Sequence, residues 1–241
     1  MVSKGDRIKR RRFIVMFRKY VKKPFLCRCL VLLCAIFMNG LGMTIMRLSC
    51  LGTEPFSCLN YSISERFGIS MGLSVAVING IFLVLDLVFM RKLLGIGTVA
   101  TIFFMGSAAD IWGMFISNMI GDVEMFQGME HILLRLCWLV PGMLIMILSC
   151  SFVMSCDLGM APYDTLGYIV EKYSNRKIPF KWARVFFDCA CVLTAYILSC
   201  PMGMEWELIG VGTVIMAFCI GPVITFFRKY LTDLCIDRLI K

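Results

Sequence analysis

Leu51-Gly52-Thr53-Glu54-Pro55-Phe56-Ser57 and Leu158-Gly159-Met160-Ala161-Pro162-Tyr163-Asp164 are the two stretches on which the fold of this chain turns. They share Leu-Gly-x-x-Pro-aromatic at a shift of 107 residues, and the same shift sets Arg28 over Arg135. Further along, Gly95-Ile96-Gly97-Thr98-Val99 returns as Gly210-Val211-Gly212-Thr213-Val214 at a shift of 115, and the match runs on through Phe103 and Phe218 to Gly106 and Gly221. Between these anchors, Asn79 falls opposite Asp188 at a shift of 109. Short Gly-containing matches are weak one by one. Their collinear order, with a slowly growing shift, marks an internal repeat.

Each motif has a local reading. Gly52 and Gly159 permit a chain reversal, because glycine tolerates positive φ. Pro55 and Pro162 suit the first position of a helix, where the missing N–H removes no internal bond. Ser57 and Asp164 then fall in the first turn, where polar or acidic side chains are favourable. The helices that follow, about 56–65 and 163–173, are too short to cross a bilayer and half polar. They read either as interfacial helices, turning corners, or as re-entrant half-helices. Backbone that breaks at membrane depth is tolerated only against protein or a water-filled cavity.

Outward from the motifs the chain is apolar. Of 241 residues 59% are hydrophobic and 17% charged, with a mean hydropathy of +0.82. Soluble domains run nearer about 45–50% and 25%. The excess falls in six runs of membrane-crossing length, about 24–48, 69–90, 97–119, 132–154, 182–199 and 206–227. The expected fold is an all-α polytopic membrane protein. It has a basic arm over 1–23, a first three-helix repeat over 24–119, a second over 131–230 and a tail over 231–241. Three crossings per half is odd, so the halves are expected to insert with opposite orientation, as in many secondary transporters.

Charge sets the expected orientation. Eleven of the 25 Lys and Arg lie in residues 1–28, Arg91-Lys92 follows the second span, five cations lie between Lys172 and Arg184, and Arg228-Lys229 follows the sixth. The opposite connections carry Asp122, Glu124, Glu130 and Glu205, with only Arg47 and Arg66 as cations. Both termini are therefore expected in the cytoplasm, in the cell membrane. The basic arm, with Ile8, Phe13, Ile14, Phe17, Tyr20 and Val21 interleaved, suits anionic lipid headgroups rather than nucleic acid. The apolar run behind it is too long for a cleaved signal peptide and lacks an A-x-A site. Most of the 13 cysteines sit inside apolar runs as small buried hydrophobes. With His131 as the only histidine, no metal site or cofactor is expected.

Acids inside spans are the candidates for function, since each costs at least about 2.5–3.5 kcal/mol to insert. Asp188 leads, with Asn79 opposite it; Asp164, Ser57 and Asp110 complete a candidate substrate or ion pathway, and Gly52, Pro55, Gly159 and Pro162 start the helices that frame it. Asp86 is expected to pair with Arg91 or Lys92 near a span end. Arg28 is expected to snorkel to headgroups and Arg135 to pair with an acid. The glycine pairs Gly95/Gly97 and Gly210/Gly212 are expected to let helices pack closely.

The Leu51–Phe56 and Leu158–Leu166 segments, with the Gly-x-Gly-Thr segments at Gly95 and Gly210, resemble those of the YczE/YyaS/YitT group of bacterial integral membrane proteins. The resemblance covers the chain from about the first span onward and leaves out the basic arm. It implies a plasma-membrane protein of bacterial type and carries over no catalytic residues. Ser57 stands in the first half where the second has an acid, which disfavours any function that needs both copies acidic.

Three function classes follow. A secondary transporter or permease for a small cationic or zwitterionic solute stands first. A non-catalytic membrane protein that stabilises or regulates a partner complex is the alternative, and a homo-oligomer is compatible with either. An intramembrane enzyme stands last, since no HExxH, Gly-x-Ser-x-Gly or paired histidines occur. A polar cavity joining the halves would favour transport, and a dry core with Asp188 paired to a cation a structural role.

Overall fold

A computed structural model describes residues 23–120, 132–200, 209–232 and 235–236. The basic arm, Asp122, Glu124, Glu130, His131, Glu205 and most of the C-terminal tail lie outside the described residues. Eight α-helices are described: α1 (Lys23–Leu48), α2 (Pro55–Phe67), α3 (Met71–Phe89), α4 (Ile96–Ile120), α5 (Ile132–Ser155), α6 (Pro162–Tyr173), α7 (Phe180–Ser199) and α8 (Val211–Phe227). A 3-10 turn, Arg91–Leu93, leads into α4, and a π turn, Arg228–Thr232, extends α8. No strand occurs among the described residues. Six of the helices, all but α2 and α6, are long and apolar enough to cross a membrane. The last span starts at Val211 rather than near 206, because Gly210 is extended and caps α8.

Helix ends follow their sequence. Glu54 caps α2, its carboxylate accepting from the Ser57 N–H, with Pro55 at the first position. Gly68, at φ 63°, ends α2 in the left-handed conformation. Ser70 caps α3, and Asp110 reaches across from α4 to accept from Met71 N (3.0 Å) and Gly72 N (2.7 Å). A carboxylate at the positive end of a helix satisfies two orphan donors. Asp110→Ala is expected to cost about 1–2 kcal/mol, read as a lower melting temperature of the purified protein, with Asp110→Asn retaining part of the loss. An unchanged melting temperature would show that the cap contributes nothing.

The core is built on α1 and α5, which pack along one another. Gly42 and Gly142 sit where each backbone meets the other: a Cβ at Gly42 would lie 3.0 Å from Met146 N, and one at Gly142 3.0 Å from Met46 N. Asn39 crosses the same seam to Ser149 Oγ (3.0 Å). Outward faces carry Leu33, Val84, Phe104, Leu133, Phe186 and Phe218, all exposed, as lipid contact requires.

The contacts between the two halves come in corresponding pairs. Gly97 N donates to Leu158 O (2.7 Å), and Gly212 N donates to Leu51 O (2.8 Å). Arg28 donates to Cys156 O at the end of α5, and Arg135 donates to Ser49 O and Cys50 O just beyond α1. Arg135 thus takes carbonyls instead of the expected acid, because the end of a helix leaves several carbonyls unpartnered. Arg28 also reaches Asp157 (3.6 Å). The Gly-x-Gly segments receive the Leu-Gly linkers, and at Gly212 also the Leu139 side chain of α5, so the close backbone approach is between a linker and a helix start while one helix–helix contact is kept.

Helices α2 and α6 run to opposite ends of the bundle. Arg47 meets Glu65 (2.6 Å), which sets the end of α1 beside the end of α2, where α3 begins. Lys172 donates to Phe89 O (3.1 Å), which sets the end of α6 where α3 finishes. Their first turns meet in the middle: Phe56 and Tyr163, equivalent residues of the two motifs, stack with centroids 4.4 Å apart. At about 1.5 Å per residue neither helix reaches the roughly 30 Å of a bilayer core. Residues Pro55 to Ser62 are all buried, so α2 penetrates the bundle instead of lying along its surface.

Candidate functional site

Where α2 and α6 start, the interior is charged. Arg184, in the second turn of α7, is 4% exposed. Its Nε donates to both oxygens of Asp188 (3.2 and 3.3 Å), four residues on and one turn above it. Its Nη1 pairs with Asp164 in the first turn of α6, and its Nη2 lies 3.4 Å from Glu54 Oε1 at the cap of α2. One guanidinium thus holds three carboxylates from three elements, as its planar fork of five donors allows. The Tyr163 ring lies under it, 4.3 Å from Cζ to the centroid.

Hydrogen bonds fix the acids further. Tyr163 donates its hydroxyl to Asp188 Oδ1 (2.5 Å), and its backbone N–H to Asn79 Oδ1 (3.4 Å). Ser57 donates both hydroxyl (2.7 Å) and backbone N–H (2.8 Å) to Glu54 Oε2. Asn79 and Asp188 are each the ninth residue of their helix, so the cluster lies about 12 Å along both, near mid-span. The N-termini of the short helices α2 and α6 add positive potential at the same level. Burial pushes the Glu54 carboxyl above its ordinary range, against the pull of Arg184.

The charges do not balance. Three carboxylates face one guanidinium, with Glu54 and Asp188 at 3% and 0% exposure. Fully ionised, the cluster would carry two uncompensated negative charges away from water, a state worth avoiding by several kcal/mol per ion. The arrangement therefore has the chemistry to take up protons or to receive a cationic group. Beyond the Leu158–Met160 linker, a cavity of about 370 Å³ lies among Lys92, Gly95, Asp157, Met160, Tyr168 and Arg228.

Of the sequence candidates, Asp188, Asn79, Asp164 and Ser57 come together here, with Pro55 and Pro162 starting the helices and Gly52 and Gly159 turning the linkers. Asp110 does not join them; its carboxylate is committed to the start of α3. Asp86 makes no ion pair with Arg91 or Lys92. The irregular backbone at Met90 (φ −142°, ψ 43°) ends α3 and leads both into the 3-10 turn, where Arg91 Nε donates to Leu87 O. Three residues of the site were not singled out from the sequence: Glu54, Tyr163 and Arg184. All thirteen cysteines are free thiols. Asp188 is paired to a cation in a closed core, the arrangement named above for a structural role, but the pairing leaves an excess of acid.

Fold and site together define a multi-pass integral membrane protein with a charged cluster at the centre of its helical bundle. The chain belongs to the family of unknown function DUF6198, which it matches over residues 26–229. It is similar to the uncharacterised protein YyaS of Bacillus subtilis (strain 168), 26% identical over 192 residues, covering 78% of this chain and 86% of that one. It is also similar to an uncharacterised protein of Haemophilus influenzae (strain ATCC 51907 / DSM 11121 / KW20 / Rd), 25% identical over 205 residues, covering 85% and 84%. No solved structure matches the chain.

Proposed function

We propose that this protein is a secondary transporter of the cell membrane, carrying a small cationic or zwitterionic solute through the centre of an inverted repeat. The observation that carries the reading is the excess of buried carboxylate around Arg184, held at mid-span between two opposed half-helices. In this reading the cluster is an occluded site. Release of Asp164 or Glu54 from Arg184 exposes a carboxylate to a cationic solute group, while Arg184 remains for an anionic one. The linkers Leu51–Gly52 and Leu158–Gly159, each seated on a helix start of the other half, form the two gates. Both termini are placed in the cytoplasm on the strength of the loop charges. The protein acts without chemical conversion of the solute.

The test is transport current. The purified protein in proteoliposomes is presented with a panel of amines, basic amino acids and zwitterionic amino acids on a solid-supported membrane. Solute-induced currents from the wild type, lost in Asp188→Asn and Glu54→Gln, are expected. Silence across the panel, with Cys-substituted Asn79 and Asp188 closed to aqueous thiol reagents from both sides, would remove the reading. That outcome favours the alternative, a non-catalytic partner of another membrane complex, which the closed Arg184–Asp188 pair suits.

A further inference from the structure

Asp86 is fully buried in the last half of α3, and among the described residues nothing donates a hydrogen bond to either of its carboxylate oxygens. Seven residues separate it from Asn79, so both lie on one face of the helix, about 10 Å apart along it. The Asn79 Nδ2 is buried and unpartnered too. This face packs on the first turns of α6: Tyr163 N meets Asn79, and Thr165 stands beside Asp86. The Thr165 hydroxyl already donates to Ala161 O (3.2 Å).

The charged groups around Asp86 offer it no partner. From α6, Asp164 acts on it as a like charge. Lys172, at the end of α6, donates to Phe89 O, and Arg91 to Leu87 O; Lys92 is exposed. From α4, Asp110 lies at the far end of α3, as do Glu65 and Arg66 from α2. Arg184 of α7 is held by three other carboxylates. A metal or alkali cation needs several oxygens around it, and no group of metal-binding side chains occurs among the described residues. A proton needs one.

We propose that Asp86 is a proton-binding site that exchanges protons with the Phe89 end of the bundle, so that the coupling ion is H⁺. The coupling role rests on the transport reading above; proton binding does not. The step balances simply. Hydronium gives its proton to an Asp86 oxygen and leaves water. On release the O–H bond at Asp86 breaks, the proton passes to water as hydronium, and no electrons move. The repeat position equivalent to Asp86 is Ala195, so the site exists in one half only, which gives proton movement a preferred end.

Infrared spectroscopy on the full chain in nanodiscs tests this without any solute. The wild type is expected to show a protonated-carboxyl C=O band that loses amplitude as pH is raised, and Asp86→Asn to lack that component. Asp86→Glu guards against a variant that does not fold: it is expected to keep a titrating band at a shifted frequency. A band unchanged in Asp86→Asn, or one absent from the folded wild type at every pH, would overturn the proposal. A titrating Asp86 in a protein that moves no solute would leave proton binding standing and remove only the coupling role. Solute currents that persist unaltered in Asp86→Asn would remove that role as well.

Discussion

Arg184→Gln is expected to be the most damaging single change in the bundle. It removes the one cation that Glu54, Asp164 and Asp188 share and leaves two of them fully buried with no counter-charge. Breaking a buried ion pair by deleting one member costs about 3–5 kcal/mol, because the orphaned charge is not returned to water. For a chain of this length that is a fall of about 10 °C in melting temperature, measured on protein in detergent or nanodiscs. Arg184→Lys is expected to recover little, since one ammonium on a flexible stem does not span carboxylates from three elements. The diagnostic variant is the double substitution Arg184→Gln with Asp188→Asn. Neutralising Asp188, one of the two fully buried acids, is expected to restore part of the loss, a coupling that additive effects would not produce. Wild-type stability in Arg184→Gln would mean that the carboxylates already hold protons and need no cation.

The second large effect is expected at the two linker glycines. Gly52 and Gly159 have φ of 104° and 117°, a region that L side chains rarely adopt. A Cβ at Gly52 would lie 2.4 Å from Thr213 Oγ1 and 2.6 Å from Gly210 N; one at Gly159 would lie 2.6 Å from Gly95 N and from Thr98 Oγ1. A threonine hydroxyl could turn away, but Gly210 N and Gly95 N are helix-start backbone and cannot move aside without unseating Leu51 O from Gly212 N or Leu158 O from Gly97 N. Strained φ and overpacking each cost about 1–3 kcal/mol. Gly52→Ala and Gly159→Ala are therefore expected to destabilise by about 3 kcal/mol or more, read as lost monodispersity on size-exclusion chromatography and a lower melting temperature. Gly80→Ala, where a Cβ meets nothing within 4 Å, serves as the control. Equal behaviour of all three would refute the argument.

What the sequence made legible is what is written locally. Spans are long apolar runs, and five of their six starts fall within about two residues of the helices observed. The short helices α2 and α6 announce themselves through Gly-x-x-Pro, and the recurring sequence segments mark surfaces that meet. The centre of the site was harder to see for a specific reason. Glu54 reads locally as a cap before a proline, and it does cap α2; its second job needs α7, 130 residues away. Arg184 reads as one more cation in a basic loop, although its spacing of four from Asp188 on a helix was visible. Tyr163 reads as the aromatic of the motif, and its hydroxyl acquires meaning only when α6 meets α7. Asp110 shows the reverse error. An acid within a span looks functional, yet here it serves the start of the neighbouring helix.

The pairing of each Leu-Gly linker with a helix start of the opposite half has a consequence for synthesis. When the first three crossings leave the ribosome, Leu51 and Gly52 have no surface to settle on, because Gly212 and Thr213 lie about 90 residues beyond the end of the third crossing. Leu158 finds Gly97 already made when it emerges, whereas Leu51 must wait for the last crossing to bring Gly212. The first half is therefore not a finished piece that the second joins; its linker stays unseated until the final helix arrives.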